Sequence, residues 1–234
     1  MRRRSAPLCA FVLASLLGSP AAFAASAEAS AARAEFLAAA KLTPDTRRGA
    51  RSFETCAACH GTAGQGLADG SVPAIAGQHG SVLLKQLVDF RHEQRWNERM
   101  QHFSDRHHLQ GAQDLTDVAA YVAQLPRFPP MADSVGDGAF LQQGARAYFQ
   151  VCADCHGRLG EGDVLKLRPR LAGQRYEYLL LQLRETAAGN RPGMDPEHVR
   201  RLRRLKSEEL RGVADYLSRL SPDLATQPVR RPTP

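Results

Sequence analysis

The sequence predicts an all-α protein made of two similar domains in tandem. Three observations carry this. No segment alternates apolar and polar residues over a strand's length between hairpin turns. Several segments set apolar residues at helical spacing, as in Leu83, Leu84, Leu87, Val88 and Phe90. The second half also repeats the first. Gly49-Ala50-Arg51 answers Gly144-Ala145-Arg146, and Gly64-x-Gly66 answers Gly160-x-Gly162. Pro73-x-x-Ala76-Gly77-Gln78 answers Pro169-x-x-Ala172-Gly173-Gln174. Gln86-Leu87 answers Gln182-Leu183, Arg95 answers Arg191, and Tyr121 answers Tyr216. Such self-similarity marks an internal duplication.

Taken in order, residues 1–24 read as an export signal. Arg2, Arg3 and Arg4 are the charged start, Leu8 to Leu17 the apolar core, and Ala22-Phe23-Ala24 a small-x-small site with cleavage expected after Ala24. The apolar run is short for a membrane span. Residues 25–42 form an Ala-rich leader, expected to be disordered or a loose helix. The first domain is placed at 43–126. Thr43 is the expected cap and Pro44 the first-turn residue of a helix running through Gly49 and Phe53 into Cys56. A second helix is expected from Ser81 to about Glu93. An irregular loop through Arg95-Trp96-Asn97 then leads to Met100. The closing helix runs from Leu115 to Leu125, with Val118, Tyr121 and Val122 inward. Residues 127–136, with Pro129 and Pro130, read as an extended, stiff linker. The second domain is placed at 137–222, and 223–234 is a Pro- and Arg-rich tail expected to be disordered.

Each domain carries one C-x-x-C-H run: Cys56-Ala57-Ala58-Cys59-His60 and Cys152-Ala153-Asp154-Cys155-His156, 96 residues apart. Two thiols at this spacing add across the vinyl groups of one haem, and the adjoining imidazole reaches the iron. A lone C-x-x-C also fits a redox dithiol or half a zinc site. The directly following histidine, the duplication and the scarcity of other cysteine, with only Cys9 outside the runs, favour two covalently attached haems c. Each domain is therefore expected to wrap around one haem, which supplies apolar mass to a small core with 6% aromatic residues. Gly61, Gly64 and Gly66 allow a tight turn after His60. Pro73 and Pro169 are candidates to accept the proximal histidine's Nδ1–H through their carbonyls and so fix the ring.

An iron that only transfers electrons needs a sixth ligand. Met100 lies 40 residues after His60 and Met194 lies 38 after His156, and both follow an Arg-containing loop. Met131 sits in the linker and has no counterpart. His92, His102, His107 and His108 lie near Met100 and compete with it. Thioether ligation raises the potential relative to two imidazoles and closes the iron to outside ligands.

The formal charge of +7 falls to +4 once Arg2, Arg3 and Arg4 leave, which is too mild for a nucleic-acid partner. Residues 45–127 carry nine basic and nine acidic side chains, whereas 137–224 carry fifteen and twelve. Different halves can thus steer different partners. Arg200, Arg201, Arg203, Arg204 and Lys206 are either a docking patch for an acidic partner or anionic lipid, the latter allowing peripheral membrane association, or simply a solvated helix face.

The two C-x-x-C-H domains, Pro-x-x-Ala-Gly-Gln, the Gln-Leu helix, the Arg loop before each Met and the Tyr-bearing last helix together resemble cytochrome c4. The likeness spans about residues 43–222. It implies two class I cytochrome c domains with haems facing across the domain interface, and the axial pairs His60/Met100 and His156/Met194. It also implies periplasmic electron transfer from a quinol–cytochrome c oxidoreductase to a terminal haem–copper oxidase. The second loop, Arg191-Pro192-Gly193-Met194, is shorter than the first and lacks its Asn. A carrier rather than an enzyme is the expectation. The competing class is a dihaem peroxidase, a thiosulfate dehydrogenase or the cytochrome subunit of a dehydrogenase, and a peroxidase among these needs one open or switchable iron.

Overall fold

The computed structural model describes residues 20–221, with side chains from residue 27 onward. The charged start and apolar core of the expected signal, Cys9 and the expected tail lie outside the described residues.

The leader is a helix, α1 (Pro20–Ala39), and it is packed on the first domain. Ala32 and Ala39 are buried in the first core, and Phe36 lies against it. Glu35 pairs with Arg91 at 2.6 Å and with His92 at 2.6 Å. Alanine is the best helix former, and positions 32, 36 and 39 fall on one helical stripe. Few large side chains are needed when small ones let the backbone sit close, which a search for core-sized residues overlooks.

Asp45, not Thr43, caps α2 (Thr46–His60). Its carboxylate accepts from the N–H groups of Arg47 (2.9 Å) and Arg48 (3.2 Å). Aspartate is an equal or better cap, and its charge suits the positive helix end. Next come α3 (Gly80–Arg91), α4 (Glu98–Ser104) and α5 (Ala112–Gln124). Phe53, Leu84, Val88, Leu115, Val118 and Val122 form the first core. The second domain holds α6 (Leu141–Val151), α7 (Ala153–His156), α8 (Tyr176–Ala188), α9 (Pro196–Arg203) and α10 (Ser207–Arg219). Tyr148, Leu179, Leu180, Val213, Ala214 and Leu217 form its core. No strand occurs among the described residues, only an isolated bridge between Asp163 and Arg168.

The first and last helices of each domain cross at a glycine. A Cβ at Gly49 would lie 2.1 Å from the Asp117 carbonyl oxygen, and one at Gly144 would lie 1.8 Å from the Gly212 carbonyl carbon. Beside the crossings sit matching aromatic pairs, Phe53–Tyr121 at 5.5 Å and Tyr148–Tyr216 at 5.4 Å between ring centres. The linker is not simply extended. It includes a 3₁₀ turn at Ala132–Ser134, and buried Ser134 accepts a hydrogen bond from Arg175 (3.2 Å).

The domains are clasped by reciprocal hydrogen bonds. Gln174 accepts from the Ala74 N–H (3.0 Å) and donates to the Ala74 carbonyl (2.7 Å). Gln78 accepts from the Arg170 N–H (2.9 Å) and donates to the Arg170 carbonyl (3.0 Å). The next residues repeat the exchange, His79 with the Glu161 carbonyl (3.0 Å) and Arg175 with the Gln65 carbonyl (2.7 Å). Each residue of one contact stands 96 positions from its partner in the other, so the joint has a pseudo-two-fold axis.

Candidate haem sites

Both domains hold their C-x-x-C-H histidine alike. His60 ends α2 and His156 ends α7, with 7% and 8% exposure. Nδ1 of His60 lies 3.0 Å from the Pro73 carbonyl, and Nδ1 of His156 lies 3.2 Å from the Pro169 carbonyl. A carbonyl has no proton to give, so Nδ1 carries the hydrogen and Nε2 keeps its lone pair. Burial pushes both rings below the ordinary histidine value, His156 to about 4, so both are neutral donors. The loop closes because Gly66 and Gly162 donate to the His60 and His156 carbonyls (2.8 Å each). At Gly66, with φ of 67°, a Cβ would lie 2.5 Å from the Pro73 carbonyl carbon. Only glycine brings the proline under the ring there. Cys56 and Cys59 stand on the last turns of α2, and Cys152 and Cys155 at the start of and within α7, so each pair leads directly into its histidine.

The segments that carry Met100 and Met194 differ between the domains. Met100 stands on α4 rather than in an irregular loop, because Asn97 caps that helix by accepting from the Met100 N–H (3.0 Å). The four histidines that competed with Met100 have other surroundings. His92 is bound to Glu35. His102 and His108 face each other at 4.5 Å between ring centres, His108 also meets Asp105 at 3.0 Å, and His107 is exposed. Met194 follows a cross-domain bond from Gly193 N–H to the Gln94 carbonyl (2.9 Å). His198 Nδ1 lies 3.1 Å from Met194 Sδ, and its ring centre lies 5.9 Å from that of His156. Sequence reading passed over His198. The signal was its place four residues after Met194, in the first turn of a helix started by Asp195-Pro196, within reach of that side chain.

Around the second site and the joint, the buried Nε atoms of Arg168, Arg170, Arg175 and Arg191 have no hydrogen-bond partner among the described residues. Burial, then the nearby Arg95, lowers the Arg191 guanidinium to about 10. Buried donors left unpaired are costly, and a guanidinium matches a carboxylate best. Haem carries two propionate carboxylates, so these residues fit the group that the cysteine runs imply. Arg168 lies near both His156 and His198, and Arg191 near His198, close enough to disfavour added positive charge on them.

The profile of the cytochrome c family matches residues 46–126 and again 141–221. The chain belongs to this family. A cytochrome c4 of Thiocapsa roseopersicina is 34% identical over 196 residues, covering 79% of this chain and 97% of that protein. A thiosulfate dehydrogenase electron acceptor of Stutzerimonas stutzeri strain A1501 is 31% identical over 174 residues, covering 70% and 77%. The crystal structure of reduced recombinant cytochrome c4 from Pseudomonas stutzeri aligns with a TM-score of 0.65 and 26% identity, covering 76% of this chain and 100% of that one. The protein is thus a dihaem, cytochrome c4-like electron carrier with two covalently attached haems c, at Cys56/Cys59 and Cys152/Cys155.

In this cytochrome one peptide group joins each histidine to the other domain. The Pro73–Ala74 peptide accepts from His60 through its carbonyl and donates to Gln174 through its N–H. The Pro169–Arg170 peptide does the same between His156 and Gln78. Hydrogen bonds in such a chain polarise one another.

Proposed function

We propose that this cytochrome works in the periplasm, passing single electrons from a quinol-oxidising complex or a dehydrogenase towards a terminal haem–copper oxidase. His60 and Met100 ligate the first iron, and His156 and Met194 the second. Pro73 and Pro169 orient the proximal rings. The haem supplies the one-electron couple. The protein supplies neutral imidazoles held in one orientation, cationic partners for the propionates, and cover from water. The observation that carries this reading is the pair of peptide bridges, which build the two histidines and the joint into one connected unit. That suits two centres exchanging electrons with each other.

The haem-loaded protein should show near-infrared thioether-to-iron absorption when oxidised, remain low-spin throughout, and bind carbon monoxide slowly. Rapid binding of peroxide or carbon monoxide to the protein as isolated would overturn the carrier reading in favour of a peroxidase-like one. A second reading, as the acceptor of a dehydrogenase that oxidises thiosulfate, is favoured by the likeness to the Stutzerimonas acceptor. Thiosulfate-dependent reduction in the presence of such a dehydrogenase separates the two donors.

No helix among the described residues is long and apolar enough to cross a membrane. Peripheral association through the basic stretch falls to a few of its cations. Arg200 and Arg201 pair with Glu197 (2.7 and 3.2 Å), and Arg203 donates to the Ala187 carbonyl (2.9 Å), which leaves Arg204 and Lys206 as the candidates for contact.

A further inference from the structure

We propose that His198 is a second axial donor for the iron of the second domain, able to take the position of Met194, while the first iron has no such reserve. The inference rests on the reading of Met194 as the resident ligand.

The placement is specific. Met194 lies just before the cap of α9 and His198 in its first turn, and the two are in contact, with Nδ1 3.1 Å from Sδ. The thioether has no proton, so Nδ1–H donates to it and Nε2 keeps its lone pair. The His198 ring centre is 5.9 Å from that of His156. Two imidazoles on opposite sides of one metal, each bonded at about 2 Å, have ring centres on the order of 6 Å apart. The pair therefore already has the separation that an iron between them requires. The arrangement of α9 follows from sequence: the Asp195 side chain accepts from the Glu197 N–H (2.8 Å), Pro196 opens the helix, and position 198 turns inward.

The exchange needs no other reactant. One iron–sulfur bond and the His198–Met194 hydrogen bond break, and one iron–nitrogen bond forms. No proton or electron is gained or lost. Its consequence is a lower potential at the second haem, since thioether ligation holds the potential above that of two imidazoles. It also keeps the iron closed when Met194 is displaced.

The first domain is the built-in control. The residue four after Met100 is Ser104, fully buried, whose hydroxyl donates to the Met100 carbonyl (2.6 Å). It offers no nitrogen. His102 and His108 lie together on the exposed flank with Asp105.

The test is spectroscopic and uses the full haem-loaded protein. Met100→Ala should give one high-spin haem that binds carbon monoxide rapidly when reduced. Met194→Ala should stay low-spin at both haems, with no rapid binding. Met194→Ala with His198→Ala should open the second haem. If Met194→Ala alone binds carbon monoxide as fast as the double variant, the proposal fails. The thioether absorption that survives in Met100→Ala reports whether Met194 is the resident ligand. If none survives, that reading fails separately, and His198→Ala then decides the proposal. Appearance of thioether absorption there supports His198 as a ligand, and an unchanged spectrum overturns it.

Discussion

The two domains agree around the C-x-x-C-H histidines and part at the methionine segments. At His60 and His156 the same parts recur: a glycine-closed loop, a proline carbonyl within 3.0–3.2 Å, and a glutamine reaching in from the other domain. In the methionine segments, the residue four after Met100 is Ser104, bonded to the Met100 carbonyl, whereas Met194 touches His198. The difference has a physical root. The proximal side is built from backbone, where one wrong φ or one added Cβ moves the proline. A methionine segment is carried by side chains on or beside a short helix, where one substitution changes the group presented without moving the backbone. Duplicated sites can thus share their anchoring and differ in their chemistry.

The helix crossings offer the harshest way to break the likeness. Elsewhere in an exposed helix interior, Gly→Ala stabilises by about 1 kcal/mol. At Gly144 the new methyl would meet the Gly212 backbone at 1.8 Å, and at Gly49 the Asp117 backbone at 2.1 Å. Backbone cannot swing aside as a side chain can, so the sign reverses. Gly144→Ala should destabilise by roughly 3 kcal/mol or more, with Gly49→Ala second, on the scale of overpacked cores. Thermal unfolding followed by far-ultraviolet circular dichroism reads both. A gain in stability at either position refutes the close crossing there.

The glutamine clasp sharpens the comparison because its two halves are interchangeable. Gln174→Ala leaves the Ala74 N–H and carbonyl unpaired, and Gln78→Ala does the same at Arg170. Each glutamine also accepts from the next residue's N–H, so each variant should cost about 2–3 kcal/mol, from three lost hydrogen bonds of about 1 kcal/mol each. The second effect is crossed. An N–H that donates makes its own carbonyl a better acceptor, which draws on the histidine Nδ1–H and makes that imidazole a stronger ligand. Without Gln174 the first haem's potential should therefore rise, and without Gln78 the second's. A redox titration of each variant, with the haems told apart by the Met100→Ala background, checks which one moves. A shift at the haem of the mutated domain instead would contradict the bridge.

Much of this was legible before any coordinates. The cysteine runs name the cofactor because their spacing matches the vinyl groups, and spacing survives in sequence. The helices announce themselves through periodic leucines and valines such as Leu84 and Val88. Three features did not show. The Ala-rich leader hid a docked helix because its buried residues, Ala32 and Ala39, are small. Gln78 and Gln174 were visible as a repeat, but a repeat does not say that its side chain crosses to the other copy. His198 was missed because attention went to the histidine-rich stretch after Met100. A cluster on the chain carries less information than one residue at the right turn of a helix.

The mildest effect concerns α1, which the first domain has and the second lacks among the described residues. Glu35 faces Arg91, His92 and Arg106, and His92 also faces Glu28 at 3.7 Å. Burial works to raise the Glu35 carboxyl, but the hydrogen bonds from His92 and Arg91 and the charges of Arg91 and Arg106 outweigh it, and the net shift is downward. A group lowered by folding stabilises above its unfolded value of about 4.3 and loses that stabilisation as the pH falls through its lower folded value. The contribution of Glu35 is therefore complete at neutral pH and fades only in acid. Glu35→Gln should cost on the order of 1–2 kcal/mol at pH 7, the scale of hydrogen bonds to a charged group. The gap between variant and parent should begin to narrow below the unfolded value of about 4.3 and close once the parent's lowered carboxyl protonates as well. Stability measured by urea unfolding across pH 3 to 7 tests this, with proteolysis of the Ala-rich segment reporting release of the helix. A gap that stays constant with pH would mean that the charge of Glu35 does not hold α1 in place.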